Sequence, residues 1–335
     1  MPNRNHFRRI PVENITNTTG HLVVTASRSG EFLVVGYSSS PGLDFYQRTE
    51  DSEGNPVYVK LAAPSHVPGS VRSISFNDYD NSVVVGAYTQ TSSLLVYQFD
   101  PNLGRFERTF NGNVPGGYAH EVDIHPDGNM VAVAHYYSPF VSLYSYSGGT
   151  LFFIGAANRT SMIGWNVSFS PDGRFMATVQ RRTYHVVINQ VAHPRNGFSV
   201  NFFSVNPSET SVTYRSVINV NQTYLPDGMA YSPDGRFFYI FYGGNMFRHH
   251  VSETGALAVQ ETMPITLPNN TPVYSIAVSS RSLLVGHANS GADGSVSAFR
   301  LYPDDTFDPH PGVLEYPEEW VFGNNLRQVV AYDKK

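Results

Sequence analysis

Cysteine is absent from all 335 residues, which excludes disulfide bridges, thiolate zinc sites and cysteine nucleophiles while leaving the compartment open. Charge is scarce too: Asp, Glu, Lys and Arg make up 15% of the chain, the formal net charge is -5, and no run of Lys or Arg exceeds two. Gripping a phosphate backbone takes a basic stripe, so nucleic-acid binding is not expected. No apolar stretch approaches the roughly 18 residues of a membrane-spanning helix, and the polar, basic segment Met1 to Ile10 has no apolar run behind it. Neither a membrane span nor a signal peptide is therefore expected, and synthesis in the cytoplasm is. Helical periodicity is almost missing. Neither Gly-x-Ser-x-Gly nor Gly-x-x-x-x-Gly-Lys-Ser/Thr occurs, so serine-hydrolase elbows and P-loops have no support.

What remains is apolar and strand-like. Hydrophobic residues account for 41% and aromatics for 13%, too much for disorder and enough for a large core. Gly (28) and Pro (22) punctuate the chain at strand-length intervals. Between them one design repeats: Val122 to Gly128 (VDIHPDG), Val167 to Gly173 (VSFSPDG) and Met229 to Gly235 (MAYSPDG). Apolar residues two apart belong to one face of a strand, and Pro-Asp-Gly supplies the fixed and the positive φ of a tight turn. Each segment therefore starts a β-hairpin. Degenerate copies begin at Leu22, Ile74 and Ile276. A third strand follows in most units, as at Leu94 to Asp100, and a fourth, as at Arg105 to Phe110.

Four strands per unit, recurring through the chain, predict an all-β fold: a single β-propeller over residues 1–335. Six units are expected at 20–68, 69–117, 118–164, 165–226, 227–271 and 272–325. Residues 1–19 and 326–335 are expected to be closing strands of a possible composite seventh blade, which would hide the edges of an open ring. A sandwich is the alternative, but it need not repeat its turn chemistry in register.

Phe169 to Phe175 (FSPDGRF) and Tyr231 to Phe237 (YSPDGRF) resemble the hairpins of WD-repeat-like and lactonase-like (YVTN) β-propellers. The resemblance spans nearly the whole chain and implies a fold more than an activity. Lactonase-like propellers often begin inner strands with His or Arg facing the channel, as the segment from Tyr118 to Gly128 does with His120. The corresponding starts elsewhere carry His21, Arg72, Asn166, Asp227 and Tyr274, and these six are the channel-mouth candidates. Such a cluster could polarise a small substrate, with His120 and Asp227 as the candidate catalytic pair.

His120 and His125 are spaced five apart, which on a strand turns them to opposite faces, so a zinc site of the His-Glu-x-x-His kind is not expected. No metal or cofactor is expected. Aromatics in strands read as packing. Those in loops read as contact surface: Tyr136, Tyr137 and Phe140, the insertion bearing Arg181, Arg182 and Tyr184, and the C-terminal segment with Trp320.

The leading expectation is a non-enzymatic scaffold making protein–protein contacts in a larger, homo-oligomeric assembly, such as a viral or phage particle. A lactonase-like hydrolase acting on a small cyclic ester or sugar derivative is the first alternative. A glycan or ligand recognition module is the second.

Overall fold

The repeated turns close because every polar group in them finds a partner nearby. Ser170 Oγ accepts a hydrogen bond from Phe175 N (2.9 Å) and donates to Asp172 Oδ1 (2.6 Å), which also accepts from Arg174 N (3.0 Å). Ser232, Asp234 and Arg236 repeat the pattern. Gly173 sits at φ +72°, and a Cβ there would lie 2.6 Å from the His125 ring of the preceding unit. Only glycine meets both demands.

The computed structural model describes residues 22–300 except 78, 80, 159–161, 189–190, 222–225, 227, 264–272, 279–281 and 289–293. Side chains at 22, 183–196, 258–260, 274, 282, 287–298 and 300 also lie outside that description. Leu22–Ala26 (β1), Phe32–Tyr37 (β2), Leu43–Glu50 (β3) and Pro56–Lys60 (β4) form the first sheet. Val71–Asn77 (β5), Ser82–Ala87 (β6), Leu94–Asp100 (β7) and Arg105–Gly112 (β8) form the second. Ala119–Ile124 (β9), Met130–His135 (β10), Val141–Ser147 (β11) and Thr150–Ala156 (β12) form the third. Gly164–Phe169 (β13), Phe175–Ile188 (β14), Val191–Asn206 (β15) and Ser211–Val220 (β16) form the fourth. Gly228–Tyr231 (β17), Phe237–Tyr242 (β18), Asn245–Val251 (β19) and Leu257–Met263 (β20) form the fifth. Val273–Val278 (β21), Ser282–Ala288 (β22) and Gly294–Arg300 (β23) make a three-stranded sheet.

Each sheet is an antiparallel meander, and their first strands, β1, β5, β9, β13, β17 and β21, lie side by side in chain order. The sheets therefore stand as blades around a common axis, with strand one innermost. Five four-stranded blades are complete among the described residues. No described helix is long and apolar enough to cross a membrane.

Strands buried on both faces explain the aromatic content. Between the first two blades, Phe106 stacks on Phe45 (ring centroids 4.5 Å) and meets Phe32 edge-on (5.3 Å), with Val23, Val71 and Val85 filling in around them. Phe202 against Phe238 (5.1 Å) does the same between the fourth and fifth. Such pairs add to area burial and fix blade spacing.

The stretch from Arg181 to Arg195, expected as an insertion loop, is a regular ladder instead. Strands β14 and β15 stay paired from Phe175↔Ser204 out to Ile188↔Val191. Thr183, Val186, Val187 and Ile188 are β-branched and favour extended backbone.

An innermost strand has a ladder partner on one side only, so its outward N–H groups need another acceptor. The preceding blade provides it. Ser73 Oγ accepts from Val122 N (3.1 Å), Ser75 Oγ from Ile124 N (3.2 Å), and Asp123 Oδ2 from Phe169 N (2.7 Å). Near the turns, Asn77 Nδ2 donates to Gly128 O (3.2 Å) and His125 Nε2 bonds Gly173 O (2.8 Å). Ser73→Ala is expected to leave the buried Val122 N–H unsatisfied and to cost about 1–3 kcal/mol, read as a lower urea midpoint at unchanged m-value.

Candidate functional site

At the end of the channel where the first strands begin, the ladders slip by one residue in the same place. Register shifts fall between Val71 and Ser73, opposite His120 in β9, between Gly164 and Asn166, and between Val273 and Ser275. The residues left out of the ladder are Arg72, His120, Trp165 and Tyr274. A bulge of this kind re-aims a side chain away from the sheet's alternation, and bulges concentrate at rims and sites.

Three of these side chains join in one stack that crosses blades. The Arg72 guanidinium carbon lies 4.8 Å from the Tyr88 ring centroid. Tyr88 stacks on the His120 imidazole (5.4 Å, 14° between planes), and His120 meets Trp165 edge-on at 4.9 Å. The His120 Nδ1 is bonded to Gly164 O at 2.8 Å. Above the stack stands a tyrosine rim: Tyr118 is 4.9 Å from Tyr88 and 6.0 Å from Tyr137, and Tyr136 meets both Tyr137 (5.0 Å) and His120 (6.0 Å). Tyr136 and Tyr137 keep 38% and 48% of their surface exposed.

The backbone under the rim is strained. Tyr118 and Phe140 occupy the left-handed region at φ +61° and +72°, which costs an aromatic residue roughly 1–3 kcal/mol each. Neighbouring contacts hold them there: Tyr118 N donates to Thr89 O (2.8 Å), and His135 N to Phe140 O (2.9 Å). Gly164 is required beside that loop, because a Cβ would fall 2.2 Å from Phe140 O.

The electrostatics favour an electron-rich visitor. Arg72 is half-buried, its Nε has no hydrogen-bond partner, and burial lowers its pKa against the opposing pull of Tyr88. Among the described residues no carboxylate pairs with it. Beneath the rim, His135 is fully buried and bonded through Nε2 to Ser142 Oγ (2.8 Å). Burial, then the nearby His120, drops its pKa to about 4, so it is neutral at pH 7.

Among the residues proposed from sequence, Arg72 and His120 meet through Tyr88, and Tyr136, Tyr137 and Phe140 belong to the adjoining loop. Trp165, not Asn166, occupies the bulge position. Asn166 is one residue further on, paired with Val179, and its Oδ1 is buried without a partner. Counting back from the turn would have located it: Arg72, His120 and Trp165 each lie five residues before Asn77, His125 and Ser170. His120 and His125 stand at opposite ends of β9 and share no site. No cluster of three or more metal-ligating side chains occurs among the described residues. His21, Asp227 and Trp320 lie outside the described residues, and Tyr184 and Tyr274 are described in backbone only. Arg181 and Arg182 begin the extension of β14, with Arg182 Nη2 donating to Asn221 Oδ1 (3.0 Å). Tyr88, Tyr118, Trp165 and His135 were not anticipated.

No protein-family model matches the chain, and no curated protein sequence does either. Solved structures do. A functionally unknown protein from Desulfotomaculum acetoxidans superimposes with a TM-score of 0.65 at 14% identity, covering 93% of this chain and 89% of that one. The Cps50 (Swd1) β-propeller domain of Myceliophteria thermophila gives 0.58 at 9% identity, covering 88% and 86%. The protein is a β-propeller. Hydrazine synthase of Kuenenia stuttgartiensis gives 0.59 at 16% identity, covering 86% and 78%. At these identities the propeller likeness is one of fold alone.

Because the folded His135 pKa lies below the ordinary 6.5, the unfolded chain takes up a proton first as pH falls, and stability drops from about pH 6.5 towards 4. His135→Gln is expected to reduce the stability lost between pH 7 and pH 5 by about 2 kcal/mol, measured by urea unfolding at both values.

Proposed function

We propose that this propeller is a non-enzymatic scaffold that binds protein partners through the face bearing the channel mouth. The observation that carries the reading is the convergence on that face of two features. One is the exposed, strained tyrosine rim against Tyr88 and His120, with Arg72 on the far side of Tyr88. The other is the extension of β14 and β15.

Strand β13 begins opposite Gln180 and β16 ends opposite Phe198, so beyond those points the β14–β15 pair has no flanking strand among the described residues. It continues for eight residues, Arg181 to Ile188, about 25 Å of extended chain. A two-stranded ribbon is marginal in water alone, and a partner surface would stabilise it. It leaves the blade at the connection between strands two and three, which is also where Tyr88 and the Tyr136–Phe140 loop stand in their blades. Tyrosine and arginine are favoured anchors at protein interfaces, tyrosine because it buries a large area with few rotatable bonds and arginine because its planar guanidinium presents a fork of donors. A half-buried guanidinium that no acid among the described residues pairs with suits a partner's carboxylate or main-chain carbonyl. In this reading the six repeat units form one ring, with its remaining strands supplied by residues outside the described ones.

The test is cross-linked recovery of partners from the native source with wild type and with a Tyr136→Ala/Tyr137→Ala double variant, whose melting temperature controls for folding. Loss of two anchors is expected to weaken recovery at least tenfold. Equal recovery by both proteins would move the contact off this face. Turnover of lactones or sugar esters abolished by His120→Ala would replace the scaffold reading with the hydrolase one.

A further inference from the structure

The outer strand of each blade is a sheet edge, and edges of this kind are normally blunted with charge or proline. Four of the five described outer strands obey. Strand β4 carries Pro56 and Lys60, β8 carries Arg105, Glu107 and Arg108, β16 carries Arg215, and β20 carries Glu261. Strand β12, Thr150 to Ala156 (TLFFIGA), has neither charge nor proline. It exposes Phe152 and Phe153 at 56% each and Ile154 at 39%, three consecutive large apolar residues on an edge that no described strand covers. A run like this marks an association surface.

We infer that β12 pairs antiparallel with β12 of a second copy of this chain, forming a two-fold dimer through the rim of the third blade. This inference is independent of the mouth-face proposal. The occupant follows from the composition of the strand. An uncharged segment can face its own copy without opposing like charges, which β8 with its paired arginines cannot do as well. Antiparallel pairing about a dyad at Phe152 puts Phe152 across from its own copy and Leu151 across from Phe153, giving aromatic and aliphatic cross-strand pairs, and the contact closes at two copies.

The ladder between β11 and β12 shifts after Phe153, leaving Ile154 outside it, and Gly155 follows at φ +152°. Only Thr150 to Phe153 therefore runs straight enough to pair. With on the order of 300 Å² of apolar side chain offered per copy, well under the roughly 800 Å² per partner of a stable interface, the dimer is weak and concentration-dependent.

Sedimentation velocity on the full chain over a hundredfold concentration range should show the mass rising from 37.1 kDa towards twice that value. Phe152→Lys and Phe153→Lys should each keep the monomer at all concentrations with an unchanged melting temperature. The absence of native cysteine allows a direct geometric test. Under mild oxidation Phe152→Cys, near the dyad, should form a covalent dimer at least tenfold faster than Leu103→Cys, an exposed loop control. A wild type that is monomeric throughout overturns the inference. So does self-association that survives both lysine variants, or cross-linking at position 152 no faster than at position 103.

Discussion

The free edge of the innermost strand is the constraint around which the rest of the molecule is arranged. A radial blade has one strand against the channel, and alternate N–H groups of that strand point where no further strand can follow. Left dry and unpaired, each costs about 1–3 kcal/mol, whereas the bond itself contributes only about 1. Ser73, Ser75 and Asp123 meet the requirement from the neighbouring blade, and in doing so they fix the height of one blade against the next. The same edge explains the mouth. Where stitching ends, the bulge at Arg72, His120 and Trp165 frees three side chains from the ladder, and they join across the blade boundaries, Arg72 through Tyr88 to His120 and His120 edge-on to Trp165.

Using a carboxylate as a stitch has an electrostatic cost. Asp123 is half-buried, and desolvation raises its pKa to about 6 against the bonds from Phe169 N, Ser75 Oγ and Ile124 N that favour the ion. Its folded pKa exceeds the unfolded one, so its contribution is full below about pH 4 and fades as pH rises to 6. His135 and His249, both buried and both lowered to about 4, act in the opposite sense across the same window. Among these three groups the two histidines together outweigh the aspartate, so their summed contribution to stability falls as pH drops from about 6.5 towards 4.

The parts of the fold legible in the sequence were those set by local chemistry. Ser-Pro-Asp-Gly closes on itself, so the turns, the period and the four-stranded blades followed from a one-dimensional reading. The mouth was legible in part. Arg72 and His120 could be picked from strand starts, but a one-residue bulge is invisible to an alternation argument, and so Asn166 was favoured over Trp165. Tyr88 comes from a neighbouring blade and His135 from a second strand, so no local pattern announces either. The extension of β14 and β15 was misread for a related reason: the segment bearing Arg181, Arg182 and Tyr184 reads as an insertion loop, while pairing across the hairpin decides the conformation.

The two proposed surfaces differ in kind, and their geometry makes them compatible. The mouth is an end of the ring, whereas β12 is on its perimeter, about as far from the axis as the blade extends. Strands twist across a blade, so the outer strand β12 is turned well away from the direction of the innermost β9, and its pairing does not by itself set the angle between the two ring axes. What it does set is distance: a contact made at the perimeter of the third blade leaves both mouths outside the interface. A protein joined in this way would offer two mouths to its partners, each with its aromatic rim over the Tyr88–His120 stack, and a weak perimeter contact would add avidity when both mouths are filled.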